Sequence, residues 1–224
     1  MEEVSPWVLF GMSVFVMVVL GILAVLSTRR LETIPSSRKQ NLIELIVSSL
    51  NNFVIGIIGP KGRKYTPFIG SLFIYILAMN LLGLVPGFKS PTSSLSVTIS
   101  LALVVFVVYN IAGILEVGLV PYLKHLMGEP IWLAPLMLPI HLIGELTRPL
   151  SLSIRLFGNI FGEETVIAML AGMSLVIIPR FLAIPYQFPM MLFGIFTAFV
   201  QALVFSMLTT IYISVAIAGH EEHS

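Results

Sequence analysis

Cysteine and aspartate are both missing, and charge of either sign is scarce. Of 224 residues only 10% are Asp, Glu, Lys or Arg, and the 11 acidic residues are all glutamate. Without cysteine there is no disulfide framework and no thiolate metal site. A soluble domain carries roughly 25% charged residues, so a chain this poor in charge and 57% hydrophobic reads as a polytopic membrane protein. A net charge of +1 gives no electrostatic footprint for nucleic acid. No glycine-rich phosphate loop is present, so nucleotide chemistry is not expected here, and no cofactor or metal is implied. Internal repeats and low-complexity stretches are absent too.

What the chain does have is long uncharged runs. The first, Pro6 to Ser27, is long enough for a ~30 Å hydrocarbon core, and we read it as a retained spanning helix instead of a cleaved signal peptide. Runs from Pro67 to Phe88 and from Ser94 to Leu115 have similar length. Between the first two lies a basic loop. Within it, Asn41 to Ile58 sets Leu42, Leu45, Ile46, Leu50, Phe53, Val54 and Ile57 against Asn41, Glu44, Ser48, Asn51 and Asn52. That spacing predicts an amphipathic helix on the membrane face. The first loop holds Arg29, Arg30, Arg38, Lys39, Lys61, Arg63 and Lys64, the second only Lys89. The positive-inside rule therefore places the first loop in the cytoplasm and the N-terminus outside.

Two longer segments follow. Ala134 to about Ile178 is apolar but interrupted by His141, Glu145, Arg148, Arg155, Asn159, Glu163 and Glu164. Phe181 to Gly219 carries no charge and as one helix would be roughly 58 Å long. Neither fits a perpendicular span, so a steeply tilted hairpin is expected. The expected fold is all-α, with five transmembrane helices and an amphipathic helix on the cytoplasmic face. In one membrane domain, these are an N-terminal spanning helix (1–30), the basic loop (31–66), two spanning helices (67–118), a cytoplasmic loop (119–133), the tilted hairpin (134–219) and a tail (220–224).

At 100° per residue, positions 141, 148, 155 and 159 fall within about 40° of one another. Ser151 lies about 40° to one side of Arg155, Glu145 and Glu163 about 80° to the other, and Glu164 points away. Guanidinium keeps its proton at any ordinary pH. Holding one inside a spanning helix costs about 2.5–3.5 kcal/mol on insertion scales, which makes Arg155 a functional-site hypothesis with a carboxylate as partner. Arg cannot relay protons, whereas His and Glu can. The stripe is a poor continuous proton wire and suits two half-paths separated by a fixed positive barrier. Gln201, the one strongly polar residue in the middle of the last segment, is expected to pack against Arg155. Arg148, beside Pro149, reads as a cytoplasmic anchor.

The segments RPLSLSIRLFGNIFGEE, FTAFVQALVFSMLTTIYIS and NLLGLVPGFKSPTSSLSVTISLAL resemble subunit a of the F-type (rotary) ATP synthases, the stator channel subunit. The likeness covers nearly all of the chain beyond residue 30. It implies that Arg155 is the family's essential arginine, facing the ion-carrying carboxylate of a rotating c-ring. Asn159 and Glu164 match polar positions after it, and Gln201 matches the glutamine of the partner helix. Asn80 matches a position lining the outer half-channel. His141 and Glu145 fall in the cytoplasmic entry region. Ser151 and Glu163 join the ion-path candidates from their place on or beside the stripe, Glu163 towards the outer water boundary. Some relatives carry an acidic residue at the place of His141, and some a histidine at the place of Gly194. The implied function is proton translocation, with sodium the alternative ion, coupled to ATP synthesis on other chains. The implied partners are the c-ring, the peripheral-stalk b subunits, the catalytic head and the lipid bilayer; the chain itself is not expected to be an enzyme. A bacterial plasma membrane is the expected location, with the C-terminus cytoplasmic. A stand-alone secondary transporter using Arg155 as an anion clamp is the alternative, disfavoured by the missing repeats.

Overall fold

A computed structural model describes residues 6–29, 38–85, 88, 90–122, 134–177 and 183–218. The described chain is built of helices: α1 (Pro6–Thr28), α2 (Arg38–Ile58), α3 (Thr66–Leu82), α4 (Leu95–Val117), α5 (Ala134–Ile177) and α6 (Ala183–Ala218). Short 3-10 turns, Pro60–Tyr65 and Pro91–Ser93, lead into α3 and α4. Most of the proposed cytoplasmic loop, together with His125, His220 and His223, lies outside the described residues.

Among the described residues, five helices are long and apolar enough to cross a membrane: Trp7–Thr28, Gln40–Ile58, Pro60–Leu82, Leu95–Val117 and Met191–Ile217. The number matches the sequence expectation but the membership differs. The amphipathic α2 is among the five, and the described part of α5 is not. Among the described residues, the side-chain contacts of α2 with α3 and α6 are made by its second half. Thr66 at the start of α3 donates to Asn51 Oδ1 (3.1 Å), Leu50 lies beside Gly70, and Ser214 near the end of α6 donates to the Ile57 carbonyl (3.5 Å). Its first half is exposed almost all round, with Leu42, Leu45 and Val47 outermost. That is the placement of a helix laid across one end of the bundle. The reversal into α3 turns on Gly59, whose φ of 83° would strain a residue with a Cβ.

Hydrocarbon is as apolar as leucine, so helices in a bilayer associate through close packing and interhelical hydrogen bonds. The core accordingly combines small residues (Gly70, Ala102, Ala112, Gly113, Ala198, Ala202) with Ile69, Ile76, Met79, Val105, Leu152, Leu156, Phe205 and Ile213. A Cβ on Gly113 would come within 2.8 Å of the Tyr122 ring and 3.3 Å of Ala216 Cβ, so α4 and α6 meet at nearly backbone distance. α5 packs on α4 and α6, and α3 packs on α6, where Phe73 and Phe199 make an edge-to-face pair at 5.8 Å. α1 is tied to α3 by the Tyr75 hydroxyl, which donates to the Ser13 carbonyl (3.1 Å).

Candidate functional site: a fixed cation beside a polar cleft

Arg155 stands at the midpoint of α5, and Gln201 at the midpoint of α6. The buried face of α5 is Pro149, Leu152, Ser153, Leu156 and Ile160. Arg155 lies about 100° from Leu156 on the helical wheel and is exposed. Among the described residues it makes no ion pair, hydrogen bond or ring contact. Around it the same face of α5 carries Gly144, Gly158 and Gly162, and a Cβ built on any of these would meet nothing within 4 Å. The arginine thus sits on an open strip of small residues, where another backbone can approach closely.

One turn further along, α5 and α6 are joined by two polar rungs. Asn159 Nδ2 donates to Gln201 Oε1 at 2.6 Å, and Thr197 Oγ1 donates to Glu163 Oε2 at 2.6 Å. Residues 159 and 163 on one helix face 201 and 197 on the other, the register of two antiparallel helices one turn apart. The rungs floor a cleft of about 460 Å³ whose walls include Gly158, Gly162, Phe193, Phe196 and Val200. Gln201 is 4% exposed, and its Nε2 has no hydrogen-bond partner. A buried unpaired amide donor is costly, so this nitrogen asks for an acceptor from the cleft side. Among the described residues the hydrogen bond of Gln201 goes to Asn159, where the sequence suggested Arg155. Asn159, displaced about 40° towards the buried face, takes that place and leaves the guanidinium outside the helix contact.

Glu163 is held tightly. A Cβ on Gly194 would collide with Glu163 Oε1 and with Leu84 Cδ2, so the missing side chain at 194 is what makes room for this carboxylate. Glu164 occupies the opposite phase of α5, and its side chain lies outside the described residues. Asn80 is 3% exposed and fully engaged: Thr92 Oγ1 donates to its Oδ1 at 2.7 Å, and its Nδ2 reaches the Ala198 carbonyl at 3.5 Å. Thr92 and Ser90 share a hydrogen bond of 2.6 Å, and Ser90 donates to the Met79 carbonyl. Asn80 thus fixes the turn before α4 to α3 and α6, directly behind the Thr197–Gln201 turn.

The other half of the stripe runs from Arg155 back through Ser151, Arg148 and Glu145 to His141, all half-buried. Arg148, read from its proline neighbour as a cytoplasmic anchor, is engaged by other side chains of the bundle. Its Nη1 lies 2.8 Å from Glu145 Oε1, and its guanidinium rests 5.8 Å from the centre of the Tyr109 ring and 5.5 Å from that of Tyr212. The Tyr109 hydroxyl donates to Glu145 Oε2 at 2.6 Å. The i, i+3 spacing of Glu145 and Arg148 was the available signal for the pair. Tyr109 had none, being one aromatic in an apolar run.

The comparisons with known proteins follow the same residues. The sequence model of the family described as "ATP synthase A chain" matches residues 10–214. The chain belongs to that family. It is 43% identical over 209 residues to "ATP synthase subunit a" of Protochlamydia amoebophila (strain UWE25), covering 90% of this chain and 77% of the relative. It is 46% identical over 199 residues to "ATP synthase subunit a" of Solidesulfovibrio magneticus, covering 89% and 79% respectively. To "ATP synthase subunit a 1" of Syntrophotalea carbinolica it is 44% identical over 202 residues, covering 90% and 82%. The matched span of this ATP synthase family takes in the fixed cation, both polar rungs and the Glu145–Arg148 pair.

Proposed function

We propose that this chain is the stator side of an ion path in a rotary ATP synthase, in which ions reach and leave a c-ring through two half-channels divided by Arg155. The observation that carries the proposal is Arg155, exposed at mid-helix on a glycine-lined surface and without a partner among the described residues. A cation there, facing lipid alone, would be costly; a carboxylate on a closely packed neighbouring helix removes that cost. At 1.5 Å per residue α5 and α6 are about 66 and 54 Å long, well beyond a ~30 Å hydrocarbon core. Lying strongly inclined, they give the ring a long flank.

The outer half runs past Glu164 to the cleft of Glu163, Asn159 and Gln201, with Asn80 framing its wall. An ion arriving there, most simply a proton, neutralises a ring carboxylate, which then turns into lipid. After nearly a full rotation the carboxylate returns from the other side, releases its ion towards Ser151 and His141, with Glu145 in the wall, and is drawn to Arg155. The unpaired Gln201 Nε2 supplies a donor for a carboxylate or water in the cleft. Torque is used by a catalytic head on other chains, held by peripheral-stalk b subunits, so this subunit performs no catalysis itself. The setting is a bacterial plasma membrane with the N-terminus outside.

The test is ATP synthesis in vesicles containing the complete complex, driven by an imposed proton gradient with and without sodium. Arg155→Ala is expected to abolish synthesis while the complex still assembles. Arg155→Lys should rescue poorly, since a compact ammonium lacks the planar fork that matches a carboxylate. Normal synthesis with either change would overturn the proposal.

A further inference from the structure

We infer that Glu145 serves the path as the counter-ion of Arg148, and that the pair, clamped between Tyr109 and Tyr212, is a neutral wall element and not a proton relay. The inference rests on the translocation reading above and adds a division of labour within its cytoplasmic half.

Both oxygens of Glu145 are already in use. Oε1 meets a guanidinium at 2.8 Å and Oε2 accepts from the Tyr109 hydroxyl at 2.6 Å. The same hydroxyl also lies 3.4 Å from the Glu145 carbonyl, which aligns it with the carboxylate. Tyr109 is 1% exposed and its ring cannot turn aside without disturbing the core of α4. Arg148 cannot release a proton, and it is stacked on the Tyr109 and Tyr212 rings, contacts that favour a cation. The four side chains join α4, α5 and α6 at one level. To accept a passing proton, Glu145 would have to give up a charge-assisted bond to a group that stays charged. His141 lies one turn away on the same stripe, half-buried.

The arrangement also answers an electrostatic need. Arg148 lies two turns from Arg155, about 10 Å along the helix axis. Uncompensated, it would extend the positive barrier down the exit path. At an effective dielectric near 20, a unit charge at that distance changes a cation's local population by about tenfold. Glu145 removes this second barrier and leaves Arg155 as the fixed charge that counts.

The experiment compares Glu145→Gln, Arg148→Gln and the double change in vesicles containing the complete complex, reading gradient-driven ATP synthesis and subunit content. Passive proton conduction is read after the head is stripped. Glu145→Gln alone is expected to lower conduction and synthesis about tenfold, by exposing the arginine. Arg148→Gln alone should not lower conduction, and the double change should recover most of what Glu145→Gln loses. A double variant as slow as Glu145→Gln overturns the inference, because a relay cannot be restored by removing its neighbour. Equal losses in both single variants, with the complex intact, overturn it too by making the pair merely structural. If Glu145→Gln fails to assemble, Glu145→Asp, whose carboxylate stops one methylene short of the guanidinium, is compared in the same way with and without Arg148→Gln. Arg155→Ala is run alongside: if it conducts like the unaltered complex, the translocation reading fails, whatever the pair does.

Discussion

Replacing Gly194 with alanine sets two sizeable effects against each other, and the structure says which wins. In the middle of a helix, alanine is favoured over glycine by about 0.8–1.0 kcal/mol. The new methyl, however, would fall on Glu163 Oε1 and on Leu84 Cδ2. Forcing an extra carbon into a filled contact costs about 1–3 kcal/mol. Glu163 must swing away and lose the hydroxyl of Thr197, and a hydrogen bond to a charged group is worth about 1.5–3 kcal/mol. Thr197 itself stays satisfied, since it also bonds the Gly194 carbonyl at 3.0 Å. A single movement of Glu163 answers for both penalties, so they overlap instead of adding. Subtracting the propensity gain leaves a net loss of about 1–2 kcal/mol, or roughly 5–30-fold in the folded ratio. Thermal unfolding of the purified complex should show a lowered midpoint for Gly194→Ala, and adding Glu163→Ala should bring it back. The same loss of placement should slow gradient-driven synthesis, because Glu163 forms the cleft floor. Were Gly194→Ala as stable as the unaltered chain or better, propensity alone would be at work and the contact with Glu163 would be refuted.

Asn159→Leu leaves Gln201 with neither amide atom paired and should cost about 1–3 kcal/mol. Gln201→Leu should cost less, and the double change should fall well short of the sum, measured as a coupling energy in a double-mutant cycle; additivity would sink the rung. Asn80→Leu strips the buried Thr92 hydroxyl of its acceptor and should destabilise by about 1–3 kcal/mol in thermal unfolding. Gly59→Val meets open space but a backbone conformation (φ 83°, ψ −168°) that is essentially glycine's alone, so about 1–3 kcal/mol of strain should appear as reduced complex yield.

What the sequence could tell depended on whether a residue's meaning was local. Arg155, Asn159 and Gln201 were legible because a charged or amide side chain at the middle of an apolar helix has few structural explanations. Helical phase alone put Arg155 and Asn159 on one stripe, and family resemblance gave that stripe and Gln201 a role. Their mutual geometry was not legible. A wheel assigns a direction to a side chain but not the depth at which the facing helix lies, so it matched Gln201 with the charge at the stripe's centre, one turn off. α2 shows the same limit from the other side, since composition alone makes it a spanning helix and only its contacts with Thr66, Gly70 and Ser214 place it across an end.

The Glu145–Arg148 cluster was misread for a more instructive reason. Arg148 next to Pro149 looked like an anchor because the groups that hold it are far away in the chain: Tyr109 on α4 and Tyr212 on α6. Both arginines occupy nearly the same helical phase, about 20° apart, yet they meet opposite fates. One has a carboxylate three residues away and an aromatic on each neighbouring helix; the other has glycines around it and no acidic partner among the described residues. Identical chemistry on a single stripe thus yields one neutralised charge and one left open. The difference lies in what α5 itself and the adjacent helices supply, and an open charge is the one that can act on a carboxylate arriving from another chain.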